Sequence, residues 1–424
     1  MLRIFYTLLY HTVMSFLMPR EFFKRPSGRK LLWLRHKLGH FKESLPTSRR
    51  CVWIHAVSVG EVMAISSLVK ELVKDYDILL STITDTGFDV AVNKFKNLPV
   101  VVIYLPLDCP FAIKRTLRHF KPDALLIAET ELWPNLIIET SKKVPVFLIN
   151  GRLTEKSFKN YKKFKFFFKK VLNSFTLLLV QTEEYKKRFL ELGVEEKKIV
   201  VVGNTKFDIF IEEKKFNFEK LLPRPIVLAG STHEPEEDII LSAFLETKTC
   251  GTLLLTPRHP QRFDEVEKLV LDKVKNKEVF YARLSRFNEN NVKSGFKVVI
   301  LVDKMGILGS LYRICDVAVI GGSFIPHGGQ NPLEAIYWKK PVIFGPHMFN
   351  FPFIEDFVKK EACLQVKKEE LQEVLEELCK NEDKRKALGN KAYEMFNTQR
   401  GATKRIVQLV KTELYKYEVY KKSS

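Results

Sequence analysis

Residues 51–76 read CVWIHAVSVGEVMAISSLVKELVKDY: an apolar run, a glycine turn, then a helical pattern. Cys51 to Ile54 have the unbroken apolar character of a strand buried on both faces. After Gly60, the residues Val62, Ile65, Val69, Leu72 and Val73 share one helical face. A buried strand handed directly to an amphipathic helix is the opening unit of a parallel sheet wound by helices. The handover carries one acid, Glu61, three residues after Ser58. S-x-x-E is a capping box, whose hydroxyl and carboxylate satisfy free helix N–H groups. A carboxylate in the same place can also serve as a general base. The stretch alone leaves both readings open.

The unit recurs along the chain. Strands are predicted at 51–55, 77–82, 100–104, 124–128, 145–149, 176–180 and 199–202, with helices between them, as at 182–192 before Gly193. A charged stretch at 209–224, ending near Pro223 and Pro225, is predicted to be a linker. Strands at 226–230, 252–256, 297–302, 316–320 and 341–344 then form a second alternating set. With 424 residues, the chain is too long for one ordinary core. The expected architecture is α/β: two doubly wound, Rossmann-like domains at 23–210 and 222–424, with a cleft at the carboxyl ends of their strands.

Charge and composition narrow the partners. Lys and Arg number 70 against 50 Asp and Glu, a net +20 that implies an anionic partner. The stretch from Arg20 to Arg50 is strongly basic, and KSFKNYKKFKFFFKK at 156–170 interleaves lysines with aromatic rings. A solvated face has no use for those rings. Ile4 to Met18 is nearly all apolar, flanked by Arg3 and Arg20, with no small-residue cleavage site behind it. Residues 1–22 are therefore expected to be a membrane anchor, marginally spanning or lying in the interface, with basic residues on the cytoplasmic side facing anionic lipid. Six scattered cysteines without a C-x-x-C pair argue for a reducing compartment, and neither they nor the nine histidines have metal-ligand spacing.

In the second domain, GSTH (230–233), PRHP (257–260) and GGSFIPHGGQNPLE (321–334) follow three strands. Asn331 is a natural N-cap and Pro332 a natural first helical residue. Glycines before a helix N-terminus let N–H groups approach a phosphate, and Glu334 could accept from ribose hydroxyls. An ordinary capped helix after a glycine turn fits the loop equally well. An arginine at the neighbouring strand end favours a nucleotide-sugar site.

HAVSVGE (55–61), ETELWPN (129–135), GNTKFD (203–208), GSTH, PRHP and GGQNPLE, in this order, resemble the motifs of the 3-deoxy-D-manno-octulosonic acid (Kdo) transferases, glycosyltransferase family 30. The resemblance runs from the N-terminal segment to about Phe351. It implies a glycosyltransferase B fold, CMP-Kdo as donor and a lipid A precursor (lipid IVA) as acceptor. It further implies inversion at the anomeric carbon, lipopolysaccharide core synthesis, and residence at the inner membrane with the catalytic domains cytoplasmic. No cofactor or metal is expected. By position, Glu61 corresponds to the general base, and Glu129 and Lys206 to transition-state stabilisers. Arg258, His259, the backbone of Gly306, Ile307 and Leu308, and Asn331, Pro332, Leu333 and Glu334 correspond to CMP contacts. The chain departs from the family at Pro235, Ile307 and Gln330, where many relatives carry glycine, an acid and histidine. A helix N-terminus is expected to keep Glu61 ionised, making it a weak base. The competing readings are a sugar-nucleotide epimerase of the same architecture and a basic nucleic-acid-binding protein. No recognition-helix, RNP-like or KH-like signature supports the latter, so no nucleic-acid partner is expected.

Overall fold

The computed structural model describes residues 2–47, 49–249, 251–287 and 297–423, which fall into two compact units. The first comprises Met1–Asp208 with Gln399–Ser424, and the second Ile209–Thr398.

The first unit is built on a seven-stranded parallel sheet. Its strands are β1 (Cys51–His55), β2 (Asp77–Thr82), β3 (Val100–Tyr104), β4 (Ala124–Ala128), β5 (Val146–Gly151), β6 (Leu177–Val180) and β7 (Ile199–Val201), in the order β3-β2-β1-β4-β5-β6-β7. β1 is central and wholly buried. Its alternate residues serve two cores: Cys51 and Trp53 pack with Ile127, Leu136 and Leu148, whereas Val52 and Ile54 pack with Val62, Leu68 and Val69. That is why the sequence shows no polar alternation there.

The second unit repeats the plan with β8 (Ile226–Thr232), β9 (Thr252–Pro257), β10 (Val279–Arg283), β11 (Lys297–Leu301), β12 (Val317–Ile320), β13 (Val342–Phe344) and β14 (Leu364–Gln365). Their order is β10-β11-β9-β8-β12-β13-β14, again all parallel. β10 and β14, both edge strands, have no counterpart among the predicted strands. β10 is only half-buried at the sheet edge, and β14 is two residues long.

Three expectations change. The chain's end does not stay with residues 222–398. The helix Ala402–Ser423 returns to the first unit, where Ile406, Val410 and Leu414 are buried against Val52, Ile54 and Leu80. The predicted linker at 209–224 is part of the second unit, held by Ser310 Oγ donating to the Glu212 carbonyl at 2.9 Å and by an Arg313–Glu219 ion pair. Nor is the N-terminal segment a separate element. It forms the helix Leu2–Lys24 of the first unit, and among the described residues no helix is long and apolar enough to cross a membrane. One face of this helix is polar and docked. Tyr6 donates to Asp108 at 2.7 Å, Arg3 Nε donates to Asn135 at 2.8 Å, and the Asp108 N–H donates to Tyr10 at 3.1 Å. Of the cysteines, Cys51, Cys109, Cys315 and Cys363 are free and buried, Cys379 is disulfide-bonded, and Cys250 lies outside the described residues.

Leu414 is 1% exposed within the first unit's core. Leu414→Ala should therefore cost about 2–5 kcal/mol of stability in urea unfolding, as a buried leucine does. A loss below about 0.5 kcal/mol, typical of a surface site, would show that the helix is not part of that core.

Candidate active site

In the first unit β1 and β4 are neighbours, while the strands that follow each of them continue outward on opposite sides. Such a switch point leaves a crevice beyond the strand ends. Glu61 follows β1 and Glu129 follows β4.

The β1 loop is tied to its neighbours by Ala56 N–H donating to the Ser81 carbonyl (3.0 Å) and Ile83 N–H donating to the Val57 carbonyl (3.2 Å). The helix Val59–Ala64 then begins, with Ser58 at its N-cap in extended conformation but with no side-chain cap bond. Glu61 accepts from the Val57 N–H at 2.7 Å. Neither half of a capping box is therefore present, since the carboxylate reaches past the N-cap to the residue before it.

Glu61 is not held ionised. Burial pushes its carboxyl up to about 8. The Val57 N–H opposes that rise, Glu129 and Glu131 add to it, and Lys206 offsets part of it. A helix dipole is worth about 0.3–1 kcal/mol, less than one pKa unit at about 1.4 kcal/mol. Desolvation beside like charges overrides it.

Glu129 is the first residue after β4, and its N–H donates to the Ile149 carbonyl at 2.9 Å. Its φ is +54°, a left-handed conformation that costs a glutamate of order 1–3 kcal/mol. Lys206 Nζ stands 3.8 Å from Glu129 Oε1, and both side chains are about a fifth exposed. Lys206 lies in the 3₁₀ turn Thr205–Phe207, where its N–H donates to Asn204 Oδ1 at 2.9 Å. The Thr205 N–H donates to Asn150 Oδ1 at 3.1 Å, tying this turn to the end of β5.

Two residues of this cluster were not singled out from the sequence. Glu131, inside ETELWPN, is raised by burial and by Glu129; its signal was a second acid two residues after the first. Asn150, buried with φ +52°, is the hub for Thr205 and leaves its own Nδ2 unpartnered. The Pro-Asn end of ETELWPN is structural, because Asn135 donates to the Asp108 carbonyl at 2.8 Å and to Thr7 at 2.9 Å.

In the second unit the switch point falls between β8 and β12. Arg258 and His259, beyond β9, are exposed, and the Arg258 N–H donates to the Thr232 carbonyl at 2.9 Å. The segments at 306–309 and 331–338 meet, with Trp338 Nε1 donating to the Gly309 carbonyl at 2.7 Å. Gly306 has φ +77°, which favours glycine. The final helix turn starts one residue later than expected, as Leu333–Tyr337, and Asn331 Oδ1 accepts from the Leu333 N–H at 3.1 Å. Leu333 is fully buried, so with its N–H spent on Asn331 it supports the loop from within.

The glycine loop also departs from expectation. Its amides at Gly322, Ser323 and Phe324 all donate to Glu236, at 2.5, 2.9 and 2.9 Å. Those N–H groups hold an internal carboxylate rather than facing a phosphate.

A profile described as 3-Deoxy-D-manno-octulosonic-acid transferase (kdotransferase) matches residues 33–209, and one described as Glycosyl transferases group 1 matches 270–395. The 3-deoxy-D-manno-octulosonic acid transferase of Haemophilus influenzae is 37% identical over 86% of this chain and 87% of its own. The chain belongs to the Kdo transferase family. The Kdo transferase of Aquifex aeolicus is 34% identical over 77% of this chain and 85% of its own. A UDP-GlcNAc 2-epimerase from Neisseria meningitidis superposes with a TM-score of 0.55, covering 85% of this chain and all of its own. At 15% identity that is a likeness of fold alone.

The Glu61 carboxyl should titrate near 8 by NMR in this Kdo transferase family member, and Glu129→Gln should lower that value by removing a like charge. Because the folded value lies above the ordinary 4.5, the contribution to stability is complete below 4.5 and is lost as pH rises through about 8. A Glu61 titration below 5 would contradict the burial of this carboxyl.

Proposed function

We propose that the chain transfers Kdo from CMP-Kdo to a lipid A precursor, with inversion and without a metal ion, in lipopolysaccharide core synthesis. The observation that carries this reading is the buried Glu61 beside Glu129, Glu131 and Lys206 at a switch point of a Kdo transferase chain. In the reaction a hydroxyl oxygen of the acceptor sugar bonds to the anomeric carbon of Kdo. The bond from that carbon to the CMP phosphate breaks, and CMP leaves with the electron pair. Glu61 takes the hydroxyl proton. A carboxylate whose pKa lies near the working pH is a stronger base than an ordinary one, and this suits the task. Glu129 faces the positive charge developing on the sugar, and Lys206 meets negative charge of the donor. Arg258, His259, the 306–308 backbone, Asn331 and Glu334 hold CMP.

Glu61→Gln keeps a side chain able to accept from the Val57 N–H but unable to take a proton. Turnover with CMP-Kdo and lipid at saturation should fall by about 10²–10⁴-fold with little change in melting temperature. Turnover near wild type would sink the assignment of the base.

The chain is further proposed to work on the cytoplasmic face of the inner membrane, resting on the outer face of helix Leu2–Lys24. Ile4, Phe5, Leu8 and Phe16 there are 66, 66, 63 and 79% exposed, opposite the docked polar face. A Tyr6–Phe167 ring contact of 5.8 Å brings the helix Lys165–Leu172 alongside, and Phe164 and Phe166 next to that contact are also exposed. Apolar rings among lysines suit an anionic lipid interface. Replacing Phe5, Leu8 and Phe16 together by Ser should strongly reduce binding to phosphatidylglycerol vesicles at unchanged melting temperature. Undiminished binding in high salt would place the lipid contact elsewhere.

A further inference from the structure

Three imidazoles gather at the carboxyl ends of β9, β8 and β12. The His233 ring centroid lies 4.2 Å from that of His327 and 5.3 Å from that of His259. The amide nitrogen of Gln330 is 3.0 Å from His233 Nε2. An amide nitrogen donates, so Nε2 accepts and the ring proton sits on Nδ1. Gln330 thus fixes both the tautomer and the orientation of His233.

The groups around His233 oppose its protonation. Burial first, then His327, His259, Arg258 and Arg262, hold its pKa down to about 4. Two acids lie nearby, and each is turned to another partner: Glu236 to backbone N–H groups and Glu237 to Arg262, whose charge it balances. Glu236 accepts from the N–H groups of His233, Gly322, Ser323 and Phe324. Glu237 accepts from Arg262 and from Thr232 Oγ1, each at 2.9 Å. What remains is a fixed N–H donor beside two further imidazoles and the exposed Arg258, a set of donors suited to an anion.

We propose that His233 and His327, positioned by Gln330, form the subsite for the carboxylate of the donor sugar. The proposal rests on the reading of the donor as CMP-Kdo and goes beyond it. CMP carries one phosphate, for which the exposed Arg258 and His259 suffice. Kdo is a sugar acid and brings a second anion that a neutral hexose lacks. His233 lies between the phosphate-side imidazole of His259 and the ring of His327. The ligand class is a nucleoside monophosphate carrying an ulosonic acid, and the residues select for the acid.

The test is titration calorimetry of the full chain with CMP-Kdo and, separately, with CMP. His327→Ala and His233→Ala should each weaken CMP-Kdo binding about tenfold or more, the scale of a lost hydrogen bond to a charged group, and leave CMP affinity unchanged. Gln330→Leu should act in the same direction through His233. His327 is exposed, so its substitution keeps the test valid where His233→Ala disturbs folding. Equal loss of affinity for both ligands, or unchanged CMP-Kdo affinity, overturns the subsite and leaves the donor assignment standing. A wild-type chain that binds no CMP-Kdo removes both.

Discussion

Two neighbouring parallel strands whose chains continue to opposite sides leave a gap beyond their carboxyl ends, and no side chain of the sheet itself can fill it. Each unit of this chain has one such gap, between β1 and β4 and between β8 and β12. In the first, the gap collects three carboxyl groups and one lysine. In the second, it collects imidazoles, arginines and a glycine loop. The fold thus puts acid–base groups in one unit and anion-binding groups in the other, and family membership gives the two sets a common reaction.

The cost of burying Glu61 is what makes it useful. A carboxyl beside two others, shielded from water, holds its proton to about 8, so its conjugate base is stronger than that of a surface glutamate. The loop after β1 offers one N–H, from Val57, and Lys206 supplies an opposing charge. These limit the rise without cancelling it. The strained backbone of Glu129 belongs to the same arrangement, since left-handed glutamate persists only where its surroundings hold it.

Much of this was legible in the sequence. All seven strands of the first sheet follow from apolar runs, because parallel strands buried on both faces cannot hide their composition. Glu61, Glu129 and Lys206, from three motifs far apart in the sequence, lie close together. What was not legible depends on contacts distant in sequence. The return of Leu414 to the first core, and the docking of Tyr6 and Arg3 on Asp108 and Asn135, leave no local periodicity that names their partner. The capture of the glycine-loop amides by Glu236, 86 residues before Gly322, is invisible to a motif. Likewise the state of Glu61 turned on desolvation, which a sequence does not display.

The central claim, Kdo transfer by this chain, is tested most directly by mass spectrometry of its product. The purified protein would be incubated with CMP-Kdo and tetra-acylated lipid A precursor. The account predicts a lipid heavier by one or more whole Kdo units, together with released CMP, and loss of both when Glu61 is replaced by Gln. A lipid of unchanged mass in the presence of intact CMP-Kdo would contradict it.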